Sequence, residues 1–177
     1  MKTKILILLN ILFLLSSCSK SYNGHPEDLG KSVFNCLKDS DLKSFLDLTP
    51  DEDDIKAFLK NMSKKDNDRK QFNPDEFKEL NNEVSMFNDL FRDNFDGLMD
   101  APVDYSKLKI KDIKKKKKPF RALSRDLTSR EDHSSIIVDL TDGKKNYQLY
   151  FPNLIKARGW VMVEEIVFTD ANGLEYY

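Results

Sequence analysis

Asp104, Tyr105 and His133 are the side chains of this sequence best suited to moving protons: a carboxylate, a phenol and an imidazole. General acid–base chemistry needs such groups to converge on one pocket. His133 sits in Arg130-Glu131-Asp132-His133-Ser134-Ser135, which holds the residue types of a Ser-His-Asp site. Adjacency along the chain is not that geometry, because the partners normally come from separate segments. The one other histidine is His25, and no Gly-x-Ser-x-Gly, His-Glu-x-x-His, Cys-x-x-Cys or phosphate-binding loop occurs. Asp51-Glu52-Asp53-Asp54 offers oxygens for a hard cation such as calcium. It lacks the Asp-x-Asp-x-Asp-Gly loop with its later Glu, and acids at a helix start already gain from the helix dipole. The expectation is no bound metal, no cofactor and, on balance, no catalysis.

Lys114-Lys115-Lys116-Lys117-Lys118 suits contact with anionic lipid headgroups or lipopolysaccharide phosphates. Repeated lysines also guard a strand edge against pairing with another chain. No aromatic residue interleaves with the run, which argues against single-stranded nucleic acid.

Cys18 is the remaining reactive group. Lys2 and Lys4 precede an apolar run from Ile5 to Leu15, broken only by Asn10, and Leu15-Ser16-Ser17-Cys18 follows. The run is too short for a bilayer core, which takes roughly 20 apolar residues. Its order of charge, apolar stretch and small residues is that of a signal peptide. Leu15-Ser16-Ser17-Cys18 resembles the lipobox of bacterial lipoproteins. That resemblance implies cleavage between Ser17 and Cys18, a diacylglyceryl thioether on the Cys18 sulfur and a further acyl chain, such as palmitate, on the new amino group. Two or three chains anchor firmly where one binds only marginally. Ser19 is not the Asp that retains Gram-negative lipoproteins in the inner membrane, and Ser19-Lys20-Ser21-Tyr22 lacks the acidic cluster of a surface-export signal. The resemblance thus implies an exported protein on the outer membrane, facing the periplasm.

From Cys18 onward the length fits one domain. With Cys18 lipidated only Cys36 is left, so no intrachain disulfide can form. Cys36 lies beside Val33, Phe34 and Leu37 at helical spacing and reads as a buried thiol. From Cys18 to Asp100 there are 12 basic and 19 acidic residues; from Ala101 to Tyr177 there are 15 and 11. The halves therefore carry nets of −7 and +4, which favours their mutual attraction or an anionic partner for the second half.

Pro26-Glu27-Asp28 starts a first helix to about Lys38, with Leu29, Val33, Phe34 and Leu37 as its apolar stripe. Asp39-Ser40-Asp41 breaks it before a short helix from Leu42 to Leu48. Thr49-Pro50-Asp51-Glu52 reads as a capping box for a third helix carrying Ile55, Phe58, Leu59 and Met62. Residues 63–72 form a polar connector. Asn73-Pro74-Asp75-Glu76 opens the longest helix, to about Met99, with Phe77, Leu80, Val84, Phe87, Phe91, Phe95 and Leu98 in a stripe that reads as core rather than an aromatic ligand box. Beyond Ala101 the period becomes two. Strands are expected from Val103 to about Lys117 with a bulge near Ile113, from Phe120 to Leu127, and through Ile136, Val138 and Leu140. Thr141-Asp142-Gly143-Lys144 then turns the chain into Tyr147, Leu149 and Phe151. Pro152-Asn153 interrupts, and Ala157-Arg158-Gly159 turns into a last strand from Trp160 to Phe168. Trp160, Tyr147 and Tyr150 are either core or ligand contacts on the sheet.

Helices followed by consecutive strands make an α+β chain: N-terminal helices packed on a curved antiparallel sheet of four to five strands. Lys38-Asp39-Ser40-Asp41-Leu42-Lys43-Ser44-Phe45-Leu46-Asp47-Leu48 and Gly159-Trp160-Val161-Met162-Val163-Glu164-Glu165-Ile166 resemble the helix–turn–helix and closing strand of nuclear-transport-factor-2-like, or cystatin-like, exported proteins. The resemblance implies a sheet curved around helices with a cone-shaped pocket; it does not choose between binding and catalysis. The expected organisation is a signal peptide at 1–17, the lipidated cysteine and tether at 18–24, one domain at 25–170 and a tail at 171–177. The expected function is a non-catalytic binding or assembly module in the envelope, for a protein or small ligand held in the sheet's concavity. A small pocket enzyme, and a structural protein contacting anionic surfaces through Lys114–Lys118, are the alternatives.

Overall fold

The computed structural model describes residues 23–65, 74–116 and 133–177. Ser17, Cys18, Lys117, Lys118 and the strand expected from Phe120 to Leu127 lie outside the described residues.

Among the described residues four helices precede the sheet: α1 (Pro26–Asp39), α2 (Leu42–Leu46), α3 (Glu52–Lys65) and α4 (Pro74–Met99). Pro26 fills the first turn of α1 with Glu27 and Asp28 beside it, where the missing proline N–H costs nothing and acids meet the positive dipole end. Ser40 ends α1 in the left-handed region, at φ 53°, and Asp41 then caps α2 by accepting from the Ser44 amide at 3.0 Å. The cap of α3 differs from the expected Thr49/Glu52 box. Asp51 and Asp54 cap it reciprocally: Asp54 N–H donates to Asp51 Oδ1 at 2.8 Å and Asp51 N–H to Asp54 Oδ2 at 3.2 Å. Thr49 is drawn back instead, its hydroxyl donating to the Leu46 carbonyl at 2.7 Å.

After α4, a 3-10 turn at Tyr105–Lys107 leads into six antiparallel strands. These are β1 (Lys109–Lys115), β2 (His133–Thr141), β3 (Asn146–Lys156), β4 (Trp160–Met162), β5 (Val167–Thr169) and β6 (Glu175–Tyr176). The sheet runs β1-β2-β3-β5-β6, and β4 pairs with the far end of β3. The α+β class stands, with small departures in the strands. Asp104 accepts from the Ser106 amide and hydroxyl at 3.1 and 2.6 Å, so the segment from Val103 turns and β1 starts only at Lys109. Its register shift falls between Ile110 and Asp112, which lets both Ile110 and Ile113 pack on the core. β3 continues through Pro152, because a bulge between Ser134 and Ile136 sets Ser135 against the proline, whose missing N–H then leaves no ladder bond broken. Residues 175–176, expected in a tail, add β6 to β5.

The expected last strand divides into β4 and β5, and Asn94 of α4 accounts for the division. Its side chain accepts from Ile166 N–H and donates to Ile166 C=O, both at 2.9 Å, and it is 1% exposed. A side-chain amide thus satisfies the backbone that leaves the ladder.

Two apolar layers follow from strand alternation. Ile136, Val138, Leu140, Leu149, Phe151 and Phe168 meet α1, α2 and α4 in the main core. Phe45 of α2 meets Phe95 and Phe91 edge-on at 5.0 and 6.4 Å. Gly30 brings α1 close to the sheet: a Cβ there would stand 2.8 Å from the Ile136 side chain. On the other face, Ile155, Ala157 and Val161 pack against Ile55 and Phe58 of α3. Among the described residues no helix is long and apolar enough to cross a membrane.

Replacing Asn94 by Ala strands a buried N–H and C=O together, so urea unfolding of that variant should show a loss of about 3 kcal/mol. A loss below about 1 kcal/mol would mean the clamp does not hold the β4–β5 junction.

Candidate functional site

The helix-covered face of the sheet is filled. Phe91, Phe95 and Trp160 are 0%, 5% and 8% exposed, so the aromatic stripe is core, as its spacing indicated, and Trp160 joins it. Tyr147 is half-buried and stacked on Phe168, centroids 5.9 Å apart.

The opposite face carries the polar chemistry. In register across it lie Lys114, Ile137, Tyr150 and Val167, and beside them Asp112, Asp139, Gln148 and Thr169. Lys111, Lys114, Asp139, Gln148 and Asp170 line a shallow cavity of about 350 Å³. Toward α3, the bulge gathers Ser135, Asn153, Tyr150 and His133. The Ser135 hydroxyl donates to the Pro152 carbonyl at 2.6 Å. His133 Nδ1 is 3.3 Å from Asn153 Oδ1, and the ring stands edge-on to Phe58 at 5.6 Å. The Asn153 contact occupies Nδ1 and leaves Nε2 as the second polar atom of the ring. That Nε2 and the Tyr150 hydroxyl are buried and without a hydrogen-bond partner among the described residues. Such orphans are rare and call for an explanation.

Charge surrounds Tyr150. Lys116 Nζ lies 4.0 Å above the Tyr150 ring centroid, within cation–π range. Burial, with the Glu164 charge adding to it, pushes the Tyr150 phenol up against a smaller pull from the nearby Ser135 hydroxyl, whose own proton goes to the Pro152 carbonyl. Burial, helped by Glu165, also raises the Glu164 carboxyl above its ordinary value. Around Tyr150 the arrangement presents an acceptor at Glu164, a donor at Lys116 and a hydroxyl that does either. It suits holding a polar ligand.

Asp104, Tyr105 and His133 are not brought together. Lys109, just after the Asp104 turn, pairs with Thr141, at the other end of β2 from His133. Eight strand steps separate the two ends, roughly 25 Å. Asp104 is committed to Lys107 and Ser106, whose hydrogen bonds hold its carboxyl down to about 2. Tyr105 is buried and donates to the Leu98 carbonyl at 2.9 Å, and burial raises its phenol far above the ordinary range.

The described lysines of the run face different ways. Strand alternation sends Lys115 to the helix side, where it meets Glu27 at 3.1 Å, while Lys114 binds Asp139 on the open face. Asp51, Asp53 and Asp54 surround the Arg158 guanidinium: Nε lies 3.0 Å from Asp54 Oδ1, and Nη1 3.5 Å from Asp53 Oδ2. The acidic quartet is therefore met by a cation of the β3–β4 turn. Among the described residues no group of three or more His, Cys, Asp and Glu is poised for a metal ion. Cys36 is buried, and burial with the Asp41 charge pushes its thiol up to about 11.

Sequence reasoning singled out His133 and Tyr150 but missed Lys116, Glu164, Ser135 and Asn153 as their neighbours. The polar Ser134-Ser135 pair inside an apolar alternation was the available signal for the bulge.

Removing an unpartnered buried hydroxyl relieves a desolvation cost, so Tyr150→Phe should leave unfolding free energy unchanged or raise it by about 1 kcal/mol. A clear loss in urea would show that the hydroxyl has a structural partner. Glu164 gives a pH test. Because its carboxyl is raised on folding, it supports the fold while protonated and loses that support as pH rises from about 4.5 through the raised value. Glu164→Gln should thus exceed the wild type in thermal stability at neutral pH, with the gap closing below about pH 4.5. A constant gap would remove the titration as its cause.

No family model, curated protein or solved structure matches this chain.

Proposed function

We propose that this chain is an exported lipoprotein of the cell envelope. It is tethered through a diacylglyceryl thioether at Cys18 to the outer membrane, facing the periplasm, and its domain is a non-catalytic binding module of nuclear-transport-factor-2-like kind. The anchor rests on Leu15-Ser16-Ser17-Cys18 and the charged, apolar stretch before it. The binding role rests on one observation: on the open face of the sheet the buried Tyr150 hydroxyl, beside Lys116 and Glu164, makes no hydrogen bond among the described residues. That face, not the filled helix side, is where the ligand belongs. With a carboxylate, a lysine and a dual-role hydroxyl around one ring, the ligand is a polar molecule that both donates and accepts hydrogen bonds, as hydroxyl groups do. The dispersal of Asp104, Tyr105 and His133 favours binding over acid–base turnover.

Metabolic labelling with palmitate should mark the wild type and leave Cys18→Ser unlabelled and released from membranes. An unlabelled wild type would end the lipoprotein reading. In native mass spectrometry of the detergent-extracted full chain, a small adduct should accompany the wild type and vanish in Tyr150→Phe. Its persistence in that variant would move the site elsewhere.

A further inference from the structure

α4 carries a second surface, independent of the site above. Its inner residues, Phe91, Phe95 and Leu98, are buried, but Met86 is 70% and Leu90 38% exposed. These two, with Phe87, Asp89 and Asp93, line a groove of about 440 Å³ on the outside of the helix. Phe87 joins groove to core: it is half-buried and tilted against Phe91, centroids 6.4 Å apart. Large apolar side chains held in water by a folded helix mark contact surfaces, and methionine, unbranched and polarizable, adapts to varied partners.

The flanks say what kind of partner fits. At about 100° per residue, Asp89, Asp93 and Asp96 form a row along one side of the Met86–Leu90 strip. All three are exposed, and neither Asp89 nor Asp93 has an ion-pair partner among the described residues. Spaced four apart, those two also repel one another along the helix. Arg92 lies on the far side of that row, and an apolar strip beside three aspartates still complements an apolar helix flanked by lysine or arginine. It does not complement itself. Antiparallel pairing of two copies would set acidic row against acidic row, and parallel pairing would leave both rows without a cation. An anionic membrane surface is disfavoured for the same reason.

We infer that the Met86–Leu90 groove of α4 docks a basic, amphipathic helical segment of a different protein, with apolar side chains entering the groove and flanking cations meeting Asp89 and Asp93. The inference does not rest on the lipid anchor or on the His133–Tyr150 site, and variants in those places leave it untouched.

The test is fluorescence polarisation of the full chain with a labelled helical peptide of leucine and lysine, against a peptide of the same length with glutamate for lysine. The lysine peptide should bind in the micromolar range, weaken as salt rises, and lose at least tenfold in affinity with Met86→Lys or with Asp89→Lys and Asp93→Lys together. The glutamate peptide should not bind. These side chains are exposed, so the variants keep the fold, which circular dichroism checks. Equal binding by variants and wild type, or no binding by wild type, would overturn the inference. So would a wild-type dimer, seen by sedimentation, that Met86→Lys dissolves, because the groove would then belong to a second copy.

Discussion

Asn94 ties the helical layer to the sheet by speaking the language of the backbone. Its one amide group supplies both the acceptor and the donor that Ile166 would find in a neighbouring strand. Without it, the chain between β4 and β5 would leave two buried polar groups exposed to nothing but side chains, an arrangement folded proteins avoid. With it, β4 and β5 can take different stretches of the same edge of β3, at Leu154–Lys156 and at Gln148–Tyr150. The place of α4 and the course of the chain's last third follow from that pair of bonds.

A second long-range constraint works at the other end of β3. Arg158, in the β3–β4 turn, reaches three aspartates at the start of α3, and Asp54 among them is fully buried. A buried carboxylate needs both a counter-charge and hydrogen bonds, and Asp54 has the guanidinium and the Asp51 amide. Together with the small apolar cluster of Ile55, Phe58, Ile155 and Val161, this holds α3 on the face that the other helices leave open. α3 thereby walls one end of the polar face, and Phe58 supports the ring of His133. The site is thus made where two separate packing solutions meet.

Much of the fold was legible because it is local. Pro26 with its acids, the break at Ser40, the stripe of α4 and the change of period after Ala101 each rest on residues within a few positions of one another. The misreadings share one cause. Thr49 was a sound cap by type, yet Asp51 and Asp54 took the role once Arg158 arrived from over a hundred residues away. Tyr105 fitted a strand by alternation until Asp104 turned the chain. A sequence also lists Lys114 and Lys115 side by side, where the strand sorts them to two sides.

The sequence by itself determined the class, the order of elements, the aromatic core and the motif at Cys18, because propensity, period and short motifs act over a few residues. Only the tertiary structure decided which face is filled and which is open, that His133 lies beside Asn153 and Phe58 and not with Asp104 and Tyr105, and that three aspartates of the acidic quartet meet an arginine. Those outcomes depend on strand register and on contacts between residues far apart in the chain. No local pattern encodes them, because a single shift in register moves every side chain to the other face.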